Sequence, residues 1–508
     1  MKQVNTHPLS GMQELTPSLQ HVFDAIKARI AAVYKAYGFI HIETPFIERS
    51  EVLLSKAGGD TEQQIYFLSK TGSEDATRKS GEAKRPSEAL RFDHTVPLAR
   101  YVAEHQNDLD FPFAVTQINR NFRGERAQRG RFREFYQCDV DVIGSGDLPL
   151  AYDAQVIATI VAALRTFLHQ TMTVRLSNRK VLAGFLFFLG LSDKTKLISN
   201  VIDHAEKVSP AETRAALKEL GLDDAICEKL LRFMNIKGTA ADLIAGIGDI
   251  LGIDLSRLLP LSSSLMDHSK NPAKTVMAQE ADSVDEDSRA KLSLLLSGLQ
   301  ELQETTDILA SLSPDANILI DLLIVRGLDY YTGNVFEIVL DDYRKIGSIA
   351  GGGRYENLTG HFTRQAFPGV GCSIGLTRLF FVLNDAKLLP KDITYKNLDL
   401  CILPLAPKKA ATTNTSQKTA SLKSDQAELS CLHAANQLAL KLRKLGFSVD
   451  VDFSTRKLSA RLQRAENLAR FALVLGEDEV TSGQAQVKNF SGDDFCLQLE
   501  KPDPKLFK

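Results

Sequence analysis

An early segment of the chain carries apolar side chains at the spacing of an α-helix. They stand after Pro17 at every third or fourth position, namely at Leu19, Val22, Phe23, Ile26, Ile30 and Val33. Because residues three and four apart share one helix face, the pattern predicts an amphipathic helix over residues 17–36, with Gly38 after its end. The next segment, FIHIETPFIE, predicts a strand that Pro45 confines to a sheet edge or a boundary.

Two later segments alternate with the period of a β-strand. The polar positions of the first, VTQINRNFR, are Gln117, Asn119, Asn121 and Arg123, and those of the second, YQCDVDV, are Gln137, Asp139 and Asp141. Each set shares one strand face, so the pattern predicts a β-hairpin whose polar faces line one side of a cleft. A sheet face open to water would produce the same alternation.

The rest of the chain contains three further segments that differ in residue pattern and composition. Leucine-rich segments with helical period predict a helical insertion over residues 184–313, and ILIDLLIV predicts a strand after it. Residues 404–425 are rich in Thr, Ser, Ala and Lys, which predicts a flexible surface loop. Around that loop, strands and helices alternate over residues 398–508, which predicts a small α/β domain. The remaining ranges, 1–183 and 314–395, are interpreted as the two parts of a main domain.

Composition excludes several classes of protein. The 508 residues include 61 basic and 63 acidic side chains, so any site for a polyanion must be a local cluster. No apolar run approaches the roughly 20 residues of a membrane-spanning helix, and the first residues lack the apolar core of a secretory signal. Six scattered cysteines without a C-x-x-C pair predict buried thiols rather than disulfides or a zinc site. We therefore expect a cytoplasmic protein without a membrane segment.

The loop of the predicted hairpin concentrates positive charge. Within eleven positions it carries Arg123, Arg126, Arg129, Arg131 and Arg133. Guanidinium groups are permanently charged and match phosphate oxygens with two parallel donors. Glu125 stands two residues after Arg123 and would face the same way, where it could accept from an exocyclic amine. The combination predicts a site for a purine nucleotide.

These residues also carry a resemblance to a known family. FRGERAQRGRFREFYQ resembles the second signature motif of class II aminoacyl-tRNA synthetases, in the form found in histidyl-tRNA synthetases. The blocks LRFDHTVPLARYVA, LIVRGLDYYTGNVFE, GGGRYENL and GVGCSIGLTRL resemble that family in the same order. The resemblance implies a multi-domain α+β and α/β protein with a mixed, mainly antiparallel sheet and flanking helices. It also implies a helical insertion and a C-terminal α/β domain like an anticodon-binding domain.

The resemblance assigns the predicted nucleotide site to ATP. The implied ATP-binding residues are Arg123, Glu125, Arg131, Phe135 and Arg378. Arg326 of the RGLDYY block would contact the α-phosphate and the substrate carboxylate, which makes it the implied catalytic residue. Mg²⁺ would accompany ATP, although the sequence contains no recognisable set of protein ligands for a metal. Thr377 departs from the family, which usually has glutamate before the arginine of this motif.

The same comparison of motifs implies a pocket for L-histidine. Its implied residues are Asp93, Thr95, Gln137, Asp141, Arg326, Tyr331 and Tyr355. Asp141 and Tyr331 would pair with the two imidazole nitrogens, and Asp93, Thr95 and Gln137 with the α-ammonium group. A ring held at both nitrogens leaves buried polar groups unpaired when another side chain enters. His94 is interpreted as a structural residue because no second ligand stands at metal spacing.

The resemblance further implies a tRNA partner and a homodimer. Arg126 and Gln128 would approach the acceptor end of tRNA(His), and GFIHIETPFIE would lie at the dimer contact. In the C-terminal domain, Arg456, Lys457, Arg461 and Arg464 are candidates for phosphate contacts, although each also fits an ordinary solvated helix face.

The implied activity is ATP-dependent formation of histidyl-adenylate and transfer of the histidyl group to the 3′ end of tRNA(His). One alternative is a non-catalytic histidine-sensing paralogue, of the kind that serves as the regulatory subunit of ATP phosphoribosyltransferase. Such paralogues lack the anticodon domain and lose catalytic arginines, whereas this chain has both. A synthetase for another amino acid is the other alternative, and the RGLDYY block together with Asp141 and Tyr331 argues against it.

Overall fold

The computed structural model describes residues 4–55, 59–69, 86–126, 130–259, 286–324, 331–356, 358–393, 396, 398–405 and 417–507. The chain divides into two compact units, one from Met1–Glu14 and Ile26–Pro390 and the other from Leu15–Ala25 and Lys391–Lys508. The finer domain boundaries expected from the sequence stay predictions. Among the described residues, no helix combines the length and the apolar character needed to cross a membrane.

The strands of the described residues are numbered here in chain order. They are β1 (Ile40–His41), β2 (Ile47–Arg49), β3 (Phe67–Leu68), β4 (Glu88–Leu90), β5 (Phe113–Phe122), β6 (Glu134–Ile143), β7 (Met172–Asn178), β8 (Lys237–Gly238), β9 (Asn317–Asp321), β10 (Asn334–Leu340), β11 (Ala350–Tyr355), β12 (Gly369–Ile374), β13 (Leu398–Pro404), β14 (Val449–Val451), β15 (Ala469–Leu475), β16 (Gln484–Asn489) and β17 (Phe495–Gln498).

The α-helices of the described residues are numbered in the same way. They are α1 (Pro17–Ala36), α2 (Ser50–Leu54), α3 (Thr95–His105), α4 (Ala151–Arg165), α5 (Arg179–Phe188), α6 (Thr195–Ala205), α7 (Pro210–Glu219), α8 (Asp224–Met234), α9 (Ala240–Leu251), α10 (Glu286–Leu312), α11 (Leu376–Asp385), α12 (Gln417–Lys444), α13 (Leu458–Leu468) and α14 (Glu477–Ser482).

The first unit is organised around a nine-stranded sheet with the order β1-β5-β6-β12-β11-β10-β7-β9-β8. Its pairs are antiparallel except β1 with β5 and β7 with β9, which are parallel. A smaller antiparallel sheet has the order β2-β4-β3. The mixed, mainly antiparallel architecture expected from the sequence is therefore confirmed.

The early amphipathic segment behaves as its pattern predicts. Helix α1 covers residues 17–36, and its apolar face, including Val22, Ile26 and Ile30, is buried. The predicted strand after it is divided, because β1 ends at His41 and β2 begins at Ile47, on either side of Pro45. β1 is the end strand of the large sheet, which agrees with the edge position expected from the proline.

Most of the segment predicted to be helical is helical. Two of its helices begin with a capping box. In each, the side chain of the residue before the helix accepts from the backbone N–H of the third helical residue, whose carboxylate accepts in return from the backbone N–H of the capping residue. The pairs are Ser209 with Glu212 and Thr239 with Asp242. Helix α10 packs against α5 and α4 through buried leucines that include Leu295 and Leu302. The short strand β8 joins the large sheet beside β9, a feature that the helical pattern did not predict.

The second unit contains the predicted α/β alternation. β13, α12, β14, α13 and β15 follow in that order, with β13 parallel to both β14 and β15. β16 and β17 extend the sheet as an antiparallel pair that the sequence reading missed. The prediction of a loop over residues 404–425 is wrong for residues 417–425, which form the first turns of α12. Residues 406–416 lie outside the described part of the chain.

The cysteine prediction is largely confirmed. All six cysteines are free, and Cys138, Cys227, Cys372, Cys401 and Cys431 are buried, whereas Cys496 is exposed.

A buried ion pair fixes the strand that carries the GGGRY motif. Arg354 Nη2 donates to Asp153 Oδ1 at 2.7 Å, and its Nη1 donates to the carbonyl oxygen of Leu148 at 2.9 Å. The other carboxylate oxygen of Asp153 accepts from Asn334 Nδ2 at 2.9 Å. Asp153 and Arg354 are both buried, so the pair joins α4 to β10 and β11 in a setting where a lost partner is costly.

Replacing Asp153 tests this ion pair. Asp153→Ala leaves the donors of Arg354 and Asn334 without their buried acceptor, and we expect the free energy of unfolding to fall by about 3 kcal/mol or more. Urea denaturation followed by circular dichroism measures the change. The exposed Asp193, changed to alanine in the same way, is the matched control and should leave stability nearly unaltered. Equal stabilities for the two variants would contradict this account of the pair.

Candidate functional site

The predicted hairpin is present and its polar faces coincide. β5 and β6 pair with Gln117 opposite Asp139, Asn119 opposite Gln137 and Asn121 opposite Phe135. Since directly opposed residues project from the same face, these side chains form one surface on the sheet, which is polar except at Phe135. The next strand, β12, continues the surface by placing Ser373 opposite Asp139.

A cavity of about 490 Å³ lies against this surface. Five of its lining residues are those predicted for ATP, namely Arg123, Glu125, Arg131, Phe135 and Arg378. Others were not singled out for the site from the sequence, and they include Gln64, Tyr136, Ser348, Ser373 and Gly375. The cavity therefore combines the end of β5, the start of β6 and the first turn of α11, segments up to about 250 positions apart in the chain.

The arginines at this cavity are held by specific contacts. Arg123 Nε donates to the carbonyl oxygen of Phe92 at 3.1 Å, and its guanidinium carbon lies 5.0 Å from the ring centroid of Phe135. Arg131 Nη1 is 3.5 Å from Glu125 Oε2. Burial and the like charge of Arg131 lower the pKa of Arg378 from its usual value. Two guanidinium groups that repel one another in a cavity favour an anion between them.

Thr377 has a defined structural contact. Its hydroxyl accepts a hydrogen bond from the backbone N–H of Tyr136 at 2.7 Å, and its side chain is buried. The residue that stands where the family usually has glutamate therefore ties the first turn of α11 to β6.

The residues predicted for the amino acid lie deeper in the sheet. Tyr355 donates from its hydroxyl to Asp141 Oδ1 at 3.1 Å, and both side chains are buried. Tyr331 packs at the backbone of Gly353, where a Cβ atom would come within 3.0 Å of its ring. Burial and the charge of Asp139 raise the pKa of Asp141 well above its usual value. The structure thus brings Asp141 together with Tyr355, and Gln137 with the nucleotide cavity.

Asp93 and Thr95 stand at the start of α3. Asp93 Oδ1 accepts from the backbone N–H of Val96 at 3.1 Å, whereas its Oδ2 is buried without a hydrogen-bond partner among the described residues. Burial raises the pKa of Asp93 to about 7, against the opposing effects of the Val96 hydrogen bond and of Arg123. Thr95 is half-buried in the first turn. An unpartnered carboxylate oxygen of this kind can accept from a charged ligand.

His94, which the sequence reading interpreted as a structural residue, is buried. Its Nδ1 lies 2.9 Å from Asp139 Oδ2, and the side chain is inaccessible to solvent. Among the described residues there is no cluster of three or more side chains suited to a metal ion.

The polar network around Asp139 was only partly foreseen. Gln137 Nε2 donates to Ser373 Oγ at 2.7 Å, Ser373 in turn donates to Asp139, and Asn121 donates to Gln137 Oε1 at 2.7 Å. The alternation along β6 placed Asp139 on the polar face but did not identify its partners. Ser373 carried no signal of its own within GVGCSIGL.

Three other predicted residues have different outcomes. Arg126 is exposed, whereas Gln128 and Arg326 lie outside the described residues, so the proposed roles of these two are not located. In the second unit, Arg456 and Lys457 are exposed. Arg461 instead donates to the carbonyl oxygens of Pro404 and Asp452, and Arg464 Nη1 lies 3.1 Å from Asp450 Oδ2. The last two arginines therefore have structural contacts, which weakens their candidacy for phosphate binding.

The protonation of Asp93 gives a pH-dependent prediction. The folded protein retains this proton up to about pH 7, whereas an unfolded chain releases it near the ordinary value of 3.8. Its contribution to stability is therefore greatest at low pH and is lost as the pH rises from about 4 to about 7. Asp93→Asn cannot lose this contribution. The free energy of unfolding of the variant minus that of the unmodified protein should therefore rise by about 2 to 3 kcal/mol from pH 5 to pH 8.

Urea denaturation at a series of pH values measures this difference. Asp193→Asn, at an exposed position, provides the control and should follow the unmodified protein at every pH. A stability difference for Asp93→Asn that does not change with pH would show that Asp93 is ionised in the folded protein throughout this range.

Comparison with known proteins assigns the architecture to a family. The family model described as histidyl-tRNA synthetase matches residues 11–248 and 261–379, and the model described as anticodon binding domain matches residues 399–501. The chain is 36% identical to a histidine–tRNA ligase of Clostridium tetani over 97% of this chain and 96% of that protein. It is 37% identical to a histidine–tRNA ligase of Xylella fastidiosa, over 98% of this chain and 95% of the relative.

Solved structures agree with these matches. The crystal structure of histidyl-tRNA synthetase from Nostoc sp. PCC 7120 is similar with a TM-score of 0.71 and 31% identity, covering 98% of both chains. A Bacillus halodurans structure titled as an ATP phosphoribosyltransferase regulatory subunit/histidyl-tRNA synthetase shares the fold, with a TM-score of 0.63 and 20% identity over 91% of this chain and 97% of that one. With two family models, near full-length relatives and one fold in agreement, the chain belongs to the histidyl-tRNA synthetase family.

Proposed function

We propose that this chain activates L-histidine with ATP to form histidyl-adenylate and then transfers the histidyl group to the 3′ end of tRNA(His). Membership of the histidyl-tRNA synthetase family supports the ligase reaction. The observation that carries the mechanism is the shared cavity, in which Arg123, Arg131 and Arg378 line one space with Glu125 and Phe135.

The nucleotide would be held by charge and by stacking. Arg123 would contact the α-phosphate, Arg131 and Arg378 the terminal phosphates, and Glu125 the adenine amino group, with Phe135 against the base. Fixed cations in a site shielded from water stabilise the negative charge that gathers on phosphorus in the transition state. The existing contacts of Arg123 with Phe92 and Phe135 support this role, because they orient the guanidinium group before ATP arrives.

The amino acid would occupy the buried end of the same polar surface. Asp141 would accept from one imidazole nitrogen and Tyr331 would pair with the other, while Tyr355 orients Asp141 through its hydroxyl. The unpartnered oxygen of Asp93 would accept from the α-ammonium group, with Thr95 and Gln137 beside it. A pocket whose carboxylates are buried discriminates strongly, since a ligand without matching donors leaves them unsatisfied.

Arg326 is proposed as the catalytic cation of the adenylation step. Its position in RGLDYY supports contacts with the substrate carboxylate and the α-phosphate, as the family resemblance implies. Glu125, the carboxylate among the described residues that line the nucleotide cavity, is the residue proposed for the adenine amino group. Mg²⁺ would therefore be held by phosphate oxygens and water, and it would neutralise phosphate charge.

The macromolecular partners are proposed on separate grounds. Arg126, with its exposed side chain, and Gln128 would contact the acceptor end of the tRNA, and Arg456 and Lys457 would contact phosphates of the tRNA in the second unit. A homodimer is supported by the edge position of β1 and by four apolar residues around it that are between 38% and 60% exposed, namely Tyr37, Ile40, Phe46 and Ile47. A cytoplasmic location is proposed from the family.

Histidine-dependent exchange of pyrophosphate into ATP tests the adenylation reaction, and charging of purified tRNA(His) tests the transfer. Activity in both assays is the expected result. Folded protein that binds histidine yet supports no exchange would instead identify a histidine-sensing paralogue. Exchange that depends on a different amino acid would overturn the assignment of the pocket.

Arg326→Ala separates catalysis from binding. We expect adenylation to fall by about three orders of magnitude with a modest loss of histidine affinity, because the lost cation acts mainly in the transition state. Rapid-quench measurement of adenylate formation and calorimetric titration with histidine give the two quantities. Arg126→Ala is the matched control, since it should adenylate normally and charge tRNA less well. Normal adenylation by Arg326→Ala would remove this residue from the mechanism.

A glycine beside Asp141 tests the histidine pocket. Gly371 lies opposite Asp141, and a Cβ atom there would stand 2.0 Å from Asp141 Oδ1. Gly371→Ala must therefore displace the carboxylate, and we expect the KM for histidine to rise about tenfold or more while the KM for ATP changes little. At Gly375 no described atom lies within 4 Å of the position that a Cβ atom would take, so Gly375→Ala is the control. An unchanged histidine KM in folded Gly371→Ala would exclude the proposed contact.

A further inference from the structure

A second cavity shares a wall with the nucleotide cavity. Its volume is about 730 Å³, and Gly130, Arg131, Phe132 and Arg378 line both spaces. The rest of its wall comes from the N-terminal segment at Ser10, Gly11 and Gln13, from the turn at Tyr343 and Ile346, and from residues 381, 382, 385 and 386 at the end of α11. Two guanidinium groups therefore stand at the boundary between two adjoining cavities.

Arg378 is fixed at this boundary by the backbone beside it. Its Nη2 donates to the carbonyl oxygen of Ile346. The next residue, Gly347, has φ of +76°, and a Cβ atom there would lie 3.2 Å from Arg378 Nη2. Glycine suits both the left-handed backbone and the space that the guanidinium group needs. The contact with Ile346 places Arg378 against the second cavity, and the same side chain also lines the first.

The N-terminal segment forms a defined part of the wall. The backbone N–H of Arg133 donates to the carbonyl oxygen of Gly11 at 2.8 Å, and Arg133 Nη1 donates to that of Ser10 at 3.5 Å. These bonds attach the segment to the start of β6. This part of the wall of the second cavity is therefore hydrogen-bonded to the chain that forms the nucleotide cavity.

The wall of the second cavity carries its positive charge at one end. Of its three aromatic residues among those described, Phe132 and Phe381 pack on one another with ring centroids 5.0 Å apart, and the third is Tyr343. The cations lie at the shared boundary, and the acid of the wall, Asp385, lies two helical turns beyond Arg378. An anion would therefore be attracted to the boundary, where the two guanidinium groups stand.

The proposed adenylation reaction produces such an anion. A carboxylate oxygen of histidine forms a bond to the α-phosphorus, and the bond from that phosphorus to the oxygen bridging to the β-phosphorus breaks. The electron pair stays on the bridging oxygen, which leaves as part of inorganic pyrophosphate. The leaving group departs on the side away from the amino acid, where Arg131 and Arg378 are proposed to hold the terminal phosphates.

We propose that the second cavity is the route by which inorganic pyrophosphate leaves the nucleotide site and enters it for the reverse reaction. Arg131 and Arg378 line both cavities, so they contact the anion while it is in the first cavity and again when it is in the second. The anion therefore crosses the boundary without losing its charge partners. The inference rests on the proposed adenylation activity and adds to it the path of a product.

Narrowing the second cavity without altering the first tests the route. Val382 lines only the second cavity of the two. In Val382→Trp, adenylate formation measured by rapid quench should stay within about twofold of the unmodified rate, because the nucleotide cavity is unaltered. Release of pyrophosphate, followed by a coupled phosphate sensor in stopped flow, should become about tenfold slower than adenylate formation. Val382→Ala is the control at the same position and should release pyrophosphate in step with adenylate.

A second variant keeps the test decisive if the first is unstable. Gln13 is exposed and lines only the second cavity of the two, so Gln13→Trp should narrow that cavity without disturbing the core. Both variants should also slow the attack of added pyrophosphate on isolated enzyme-bound adenylate. Folded Val382→Trp or Gln13→Trp that releases pyrophosphate in step with adenylate would overturn the route. Absence of adenylate in the unmodified protein would instead refute the proposed activity.

Discussion

The hydrogen bonds of one buried carboxylate, Asp139, connect the elements of this site. Asp139 lies on β6, the third of the nine strands of the large sheet, and is 4% exposed. It is satisfied by His94 from the start of α3 and by Ser373 from β12, while Thr116 of β5 donates to its backbone carbonyl oxygen. A buried charge without such donors would strongly destabilise the fold. The positions of α3, β5 and β12 around β6 are therefore coupled to this single group.

The charge of Asp139 also sets the electrostatics of its neighbours. It raises the pKa of both Asp93 and Asp141, in addition to the larger effect of burial on each. Three ionised carboxylates would repel one another in one desolvated region, and a cationic or donor-rich ligand would relieve this repulsion. The proposed recognition of an α-ammonium group and an imidazole is consistent with this group of buried carboxyl groups.

The sequence predicted the features that depend on local periodicity. The alternation along β5 and β6 determined which side chains share a face, and the arginine-rich loop indicated a polyanion site before any resemblance was considered. The partners of Asp139 could not be predicted in this way, because Ser373 lies more than 230 positions away and only the pairing of β6 with β12 brings it near. The hydrogen bond that Thr377 accepts from Tyr136 could not be predicted for the same reason, because it depends on where α11 begins relative to β6.

Composition misled the sequence reading where helix formation did not require large apolar residues. Residues 417–425 were interpreted as a loop for their Thr, Ser and Lys content, yet they begin α12, whose later turns pack Leu438 and Leu442 into the core. Helix formation is cooperative, so a well-packed segment can extend into a polar one. Arg461 illustrates the converse error, because a basic residue on an apparent surface helix is buried against backbone carbonyls.

The hydrogen bond from Tyr136 to Thr377 has a consequence for substrate length. Arg123 follows β5, Arg378 belongs to the first turn of α11, and β6 lies between them, paired with β5 and bonded to Thr377. The anchor points of the two arginines are thus separated by hydrogen-bonded backbone, whose spacing side-chain rotation cannot change. In the proposed binding mode, this fixed spacing would select for the number of phosphates, so that a nucleoside diphosphate reaching one arginine would fall short of the other.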